Sequence, residues 1–352
     1  MSIHDVITDG ECEELVEALA GGADYHERNK TGATPLHLLA TTGNLEMARL
    51  LIDKGADVNR KDYAEQTPLD WSAFEGQTEL VELYLENGGN PNSRDRNGAS
   101  AIHWASGGGH LEIVKLLVDK GADIEAQEND GMTPVLVAAR YGQPEVMKFL
   151  LEKEAKHEDS TTGLSALAWA CEFGWPDVVQ VLLDAGADLN FKEDSGRTPL
   201  SWASEYGWTV VVEILLKAKA DITVVDAAGR TPLHWAAIFG FTDCIVALLD
   251  AGMDPDVEDS SGTKAIAMAE DSGYTGTVSV FTAKVEELAA AKTDKKATKK
   301  KTAKKKSKAS AKSKAKTAKE KPKAKKKTTK KKADSKTATK KKASKKATSK
   351  KD

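Results

Sequence analysis

Apolar and polar positions alternate in two kinds of short block along most of the chain. The first kind is compact: "TPLHLLA" from Thr34, "TPLDWSA" from Thr67, "SAIHWAS" from Ser100, "TPVLVAA" from Thr133, "SALAWAC" from Ser165, "TPLSWAS" from Thr198, "TPLHWAA" from Thr231 and a degraded "KAIAMAE" from Lys264. These blocks begin 33, 33, 33, 32, 33, 33 and 33 residues apart. About ten residues after each comes a second kind, such as "NLEMARLLIDKGADVN", "HLEIVKLLVDKGADIE" or "PDVVQVLLDAGADLN". In it Ile113, Val114, Leu116 and Leu117 make a broad apolar face at helical spacing. Polar, turn-prone stretches such as "ADVNRKD" and "ADLNFKED" link one pair to the next. The pattern predicts a helix, a turn, a second helix and a hairpin-like link, repeated eight times.

The local chemistry agrees. Thr34-Pro35, Thr67-Pro68, Thr133-Pro134, Thr198-Pro199 and Thr231-Pro232 each set a hydroxyl N-cap before a proline. Proline's missing N–H costs nothing at the first helical position. Gly43, Gly76, Gly109, Gly142, Gly174, Gly207, Gly240 and Gly273 close the first helix, and Gly55, Gly121, Gly186 and Gly252 close the second. One such pair cannot bury its apolar faces alone, whereas stacked pairs can. These residues resemble ankyrin repeats over about Ser2 to Ala291. The resemblance implies an all-α, curved solenoid with short first helices lining a concave face, and a role in binding other proteins.

The ends and the irregularities divide the chain further. "GECEELVEALAGGAD" matches only a second helix, with a shortened "SIHDVITD" before it, so residues 1–28 read as a capping half-repeat. Residues 29–291 hold the repeats and a closing cap, where Val278, Phe281, Val285 and Leu288 form a one-sided stripe on a longer helix. Glu154 and Lys219 replace a stop glycine, Glu65 replaces the glycine before Thr67-Pro68, and one unit is a residue short. An irregular or bent joint is expected around residues 152–163.

Charge separates the remainder. From Lys292 to Asp352 there are 30 Lys and 4 acids, a net of +26, so a chain with 51 basic and 54 acidic side chains leaves −29 on the first 291 residues. A near-neutral total therefore averages two opposite objects. The basic segment is Lys, Ala, Thr and Ser with a lone Pro322 and no aromatic residue, a composition expected to be disordered. It resembles linker-histone C-terminal tails, without their Ser-Pro-Lys-Lys signature. Lys299, Lys300, Lys301, Lys304, Lys305, Lys306, Lys325, Lys326, Lys327, Lys330, Lys331 and Lys332 are its candidate nucleic-acid contacts. With no ring to stack on bases, DNA or RNA would be held through phosphates, without regard to sequence. In a eukaryote the same lysines would serve as a nuclear import signal, and otherwise the protein is expected in the cytoplasm.

Several chemistries find no footing. No apolar run is long enough to span a membrane, and the N-terminal stretch lacks a signal-peptide pattern, so a soluble, non-secreted protein is expected. Cys12, Cys171 and Cys244 are odd in number and far apart, which suits a reducing compartment. No hydrolase, metalloprotease, phosphate-loop or dinucleotide motif occurs, so neither an enzyme nor a cofactor is expected. His37, His103 and His234 share one repeat position; helical layers about 8–10 Å apart are too far for a zinc ion with ligands at about 2.0 Å. The resemblance gives them a structural role toward neighbouring turns. Trp71, Trp104, Trp169, Trp202 and Trp235 share another position, filled elsewhere by Leu38, Val137 and Met268, and read as packing.

A partner-binding reading remains for the residues just before each first-helix glycine. In ankyrin repeats these point toward the concave surface and vary with the partner. Here they include Phe74, Glu75, Arg140, Tyr141, Glu172, Phe173, Glu205, Tyr206, Ile238 and Phe239, an aromatic and acidic stripe suited to a flexible segment carrying Lys or Arg. Aromatics would equally stand there to shield the helix ends. The expected function is a monomeric interaction scaffold binding a protein segment, with a basic tail that associates with nucleic acid. The competing reading is a nucleic-acid-packaging protein whose tail is the active part.

Overall fold

The computed structural model describes residues 3–9, 11–157 and 164–293. Its helices run in pairs: α1 (Ile3–Asp9) and α2 (Cys12–Ala20), α3 (Pro35–Thr42) and α4 (Leu45–Asp53), α5 (Pro68–Glu75) and α6 (Thr78–Glu86), α7 (Ala101–Gly108) and α8 (Leu111–Asp119). They continue as α9 (Pro134–Arg140) and α10 (Pro144–Glu152), α11 (Ala166–Phe173) and α12 (Pro176–Asp184), α13 (Pro199–Glu205) and α14 (Thr209–Lys217), α15 (Pro232–Ile238) and α16 (Thr242–Asp250). The last pair is α17 (Ala265–Asp271) and α18, residues 275–293. Among the described residues there is no strand, only an isolated bridge between Glu258 and Lys264.

Odd-numbered helices stack on odd, even on even, and each pair packs internally, giving two layers. The odd layer is the more closely packed because small buried residues such as Ala40, Ala73, Ala105, Ala139, Ala170, Ala203 and Ala236 stand in it. The array therefore curves with the odd helices on its inner side. Between the layers, Leu51, Leu117, Leu150, Leu182, Leu215 and Leu248 hold one repeated slot, fully buried. Each contributes about 2–3 kcal/mol relative to exposure. Tyr84 takes that slot in the second Thr-Pro repeat, and its hydroxyl donates to the Leu36 carbonyl at 2.9 Å, so the phenol oxygen is not stranded.

The histidines do what the resemblance implied. In His37, Nδ1 accepts from the Thr34 N–H at 3.1 Å and from its hydroxyl at 2.8 Å, while Nε2 donates to the Gln66 carbonyl of the next unit at 3.1 Å. His103 and His234 repeat the arrangement toward Ala126 and Thr263. One ring thus caps its own helix and ties it to the following turn. Burial holds all three below the usual histidine range, so they are neutral. At the link tips, adjacent turns share a backbone hydrogen bond, as in Tyr63 to Thr31 at 3.0 Å and Asn129 to Asn97 at 2.8 Å.

The first-helix stop glycines take left-handed φ between 69° and 79°. Among the described residues three non-glycine residues share that region: Glu65 at 63°, Glu154 at 64° and Lys219 at 70°. These are the three positions where the sequence lacks the repeat's glycine. Each carries strain of about 1–2 kcal/mol. Of the joint expected over residues 152–163, residues 158–163 lie outside the described residues; on its near side Glu154 makes the left-handed turn, and the Ala166 N–H donates to the His157 carbonyl at 3.0 Å.

At the ends, the shortened N-terminal stretch is itself a helix, α1, whose Ile3, Val6 and Ile7 bury against α3. In α18 Phe281 is buried, with Val278, Val285 and Leu288 packed around it. Among the described residues no helix is long and apolar enough to cross a membrane.

Candidate functional site

The inner face is built by the odd helices and the turns that follow them. Phe74, Tyr141, Phe173, Tyr206 and Phe239 keep 38–54% of their surface exposed, high for aromatic side chains. The repeated tryptophans lie beneath them. Trp169 stacks with Phe173 at 6.0 Å and Trp202 with Tyr206 at 6.2 Å, each pair one helical turn apart. Phe74 reaches the next unit instead, meeting Trp104 edge-on at 5.7 Å. Trp71, Trp104, Trp169 and Trp202 are only partly buried. The packing reading of the ladder is thus incomplete: these rings fill the space between repeats and also floor the groove.

Charges are laid along that floor in a definite order. The Arg140 guanidinium lies 5.2 Å from the Trp169 ring, 5.8 Å from Tyr141 and 5.9 Å from Phe173. Arg197 lies 4.5 Å from Trp202 and 4.0 Å from Trp235, and its Nη1 donates to Glu205 at 2.5 Å. Arg230 lies 5.0 Å from Trp235. Glu172 and Glu205 are raised above the usual carboxylate range by burial, with Arg140 and Arg197 opposing. Glu128 is pushed up to about 7 by burial and then by Asp130 and Asp95. Ile238 is half-buried and Glu75 exposed.

Two pockets open in the N-terminal half of the groove. One, of about 340 Å³, is lined by Gln66, Asp70, Trp71, Phe74, Glu75 and Trp104. The other, of about 270 Å³, shares Phe74 and Trp104 and adds His103, Glu128, Arg140 and Tyr141 among others. Asp70 stands where other units carry histidine. Its Oδ2 accepts from the Thr67 N–H and hydroxyl, both at 2.7 Å, and burial pushes its carboxyl up to about 7. Being shorter than an imidazole, it leaves the space toward the next unit open. The arrangement offers aromatic faces and carboxylates to a cationic, extended ligand.

A family described as ankyrin repeats (3 copies) matches residues 3–95, 71–161, 152–226 and 211–293, which together take in most of the chain. The chain belongs to the ankyrin-repeat family. Its structure is similar to the crystal structure of the human ASB11 ankyrin repeat domain, with a TM-score of 0.59 and 25% identity over 62% of this chain and 98% of that one. No curated protein matches it. Ankyrin repeats are protein–protein interaction modules, typically non-enzymatic, and neither likeness points to a catalytic family.

Within this ankyrin array the predicted stripe is a set of neighbours in two groups. Phe74 and Glu75 sit together at the larger pocket, and Arg140, Tyr141, Glu172, Phe173, Glu205 and Tyr206 form a continuous run in which the arginines already cover the rings; the smaller pocket, lined by Phe74, Arg140 and Tyr141, joins the two groups. Gln66, Asp70, Trp71 and Trp104 line the same pocket; in the sequence Trp71 and Trp104 read as packing and Gln66 and Asp70 were not singled out, the signal for them being that Gln66 holds the repeat position of Arg197 and Arg230. A second missed set caps the odd helices across repeats. His110 Nε2 donates to the Phe74 carbonyl at 3.0 Å, Trp175 Nε1 to Arg140 at 3.0 Å and Trp208 Nε1 to Glu172 at 2.8 Å. The candidate lysines from Lys299 to Lys332 lie outside the described residues. Among the described residues no cluster of potential ligands could hold a metal ion.

Proposed function

We propose that this ankyrin-repeat protein is an interaction scaffold that grips a cationic, extended segment of a partner protein along the inner groove, while its lysine-rich C-terminal segment adds sequence-blind association with nucleic acid. The observation that carries the first part is the exposed aromatic row beside carboxylates on the face that varies with the partner in this family. The net −29 of residues 1–291 favours the same sign of partner and speeds its encounter. The second part rests on charge alone: 30 lysines against 4 acids. Nuclear localisation in a eukaryotic cell follows from those lysines, cytoplasmic otherwise, and the scaffold acts as a monomer.

The full chain and its Phe74→Ala, Tyr141→Ala, Phe173→Ala, Tyr206→Ala, Phe239→Ala variant are compared on an array of short peptides. The wild type should retain segments that carry Arg or Lys beside apolar residues, and the variant should bind them about tenfold more weakly, the scale of one or two lost aromatic contacts. Indistinguishable binding by the two forms would dismiss the groove. For the tail, duplex DNA affinity measured between 50 and 200 mM salt should fall by about 0.9 log units per log unit of salt for each phosphate neutralised. A flat salt response, or equal affinity after removal of residues 294–352, would dismiss the nucleic-acid half.

A further inference from the structure

The repeat lets the molecule display the same pocket twice. Gln66, Asp70, Trp71, Phe74, Glu75 and Trp104 line the larger opening. Four repeats on, a shift of 131 residues, their equivalents are Arg197, Ser201, Trp202, Glu205, Tyr206 and Trp235. In that second copy the space is filled: the Arg197 guanidinium lies 4.5 Å from Trp202 and 4.0 Å from Trp235 and pairs with Glu205, both charged side chains largely buried. In the first copy the internal cation is missing: Gln66 stands at the position that Arg197 and Arg230 hold in two of the eight units. Its amide turns to Asp95 Oδ2 at 3.4 Å, and about 340 Å³ stays open between the rings. Among the described residues no Lys or Arg lies over Trp71 or Trp104. Lys61, whose charge acts on Asp70, is engaged with the Arg94 carbonyl at 2.6 Å.

We infer that the pocket between Trp71 and Trp104 is an arginine-binding site, completed by a guanidinium from the partner segment in the way Arg197 completes its copy from within. The exposed negative charge has moved rather than vanished: Phe74 replaces Glu205, while Glu75 replaces Tyr206 at the rim and the buried Asp70 replaces Ser201. A planar guanidinium slotted between two indoles stacks on both rings and donates to the exposed Glu75 carboxylate, whereas an ammonium satisfies one face at most. Lysine-only segments should therefore bind more weakly than arginine-bearing ones. The assignment rests on the reading that the groove takes a cationic segment, and sharpens it to one side chain and one place.

The seven tryptophan indole N–H resonances of the ¹⁵N-labelled full chain provide the test. The probe is acetyl-Gly-Arg-Gly-amide, with the citrulline peptide as its neutral isostere. The arginine peptide should shift Trp71 and Trp104, and the citrulline peptide should bind at least tenfold more weakly. Gln66→Arg, which supplies the guanidinium internally, should abolish the response, and Glu75→Gln, an exposed change that leaves packing alone, should weaken it several-fold. Equal response to arginine and citrulline, or a response undiminished by Gln66→Arg and Glu75→Gln, would overturn the site. Shifts confined to Trp169 or Trp208 would overturn it while leaving the groove reading standing. Shifts at Trp71 and Trp104 with unaltered peptide-array binding by the five-alanine variant would do the reverse.

Discussion

Asp70→His is expected to stabilise the protein at pH 8 by roughly 2–4 kcal/mol, with a gain that shrinks toward pH 5. Asp70 is 2% exposed, and burial lifts its carboxyl from 3.8 to about 7 even though Thr67 donates to it twice. Between about pH 4 and 7 the folded chain keeps a proton there that the unfolded chain has released. Stability falls as pH rises through that window, and above it the full penalty, on the order of 4 kcal/mol, is in place. A histidine would accept the same Thr67 N–H through Nδ1 and extend Nε2–H toward the next unit, as His37 and His234 do toward carbonyls 29 residues on. The open pocket gives the ring room. Histidine has the opposite slope: its folded value is depressed by burial at the equivalent sites, so its stability is present above about 6.5 and lost as pH falls. Urea denaturation of both forms at pH 8 and pH 5 measures the difference. A wild-type stability that, measured relative to Asp70→Asn, is the same at both pH values would mean that Asp70 is ionised in the fold at no cost.

That a residue so unfavourable for stability occupies a repeated structural position fits a binding pocket better than a frame. The frame itself was legible in the sequence, because each of its rules is local. A Thr-Pro pair predicts a capped start, a glycine predicts a left-handed stop, and the 33-residue spacing predicts stacking; α3, α5, α9, α13 and α15 begin at those prolines. Even the exceptions were visible, since Glu65, Glu154 and Lys219 stand out as absent glycines and take the strained conformation.

The pocket was hidden for a different reason. Its members lie on α5, on the turn before it and on α7 of the following unit, and their meaning emerges only beside a copy in which the space is filled. Read along the chain, Gln66 is one polar turn residue among many; read across the stack, it stands where Arg197 and Arg230 fill the space in two later units. The tryptophans misled in the same way. Leu38, Val137 and Met268 at their position advertise packing, which is true of one face of the ring and silent about the other.

Gly174→Ala should destabilise by about 3 kcal/mol or more, and Lys219→Gly should stabilise by about 0.5–1 kcal/mol, although both lie at a left-handed site. Gly174 has φ 73°, where any Cβ carries about 1–2 kcal/mol of strain. A methyl there would also lie inside the van der Waals envelope of the Trp208 ring, which covers this glycine while its Nε1 donates to the Glu172 carbonyl at 2.8 Å. Moving the indole aside would break that cross-repeat cap, adding roughly 1–3 kcal/mol of overpacking and a lost hydrogen bond of about 1 kcal/mol. Gly142 under Trp175, whose Nε1 donates to the Arg140 carbonyl at 3.0 Å, repeats the arrangement, so Gly142→Ala should behave alike; Phe241 covers Gly207 without an N–H, so Gly207→Ala should lose the packing but no hydrogen bond. Lys219, by contrast, is exposed and bears the left-handed strain with its own side chain. Glycine removes that strain and gives back part of the gain as unfolded-state entropy, which sets the smaller figure. Denaturant titrations of the single variants and the double would measure this. The two sites lie in adjacent repeats, so additivity within about 0.5 kcal/mol is expected if the cap at Trp208 and the turn at Lys219 act independently. A neutral Gly174→Ala would mean that the indole moves freely, and would remove the cross-repeat caps from the account of what holds the stack together.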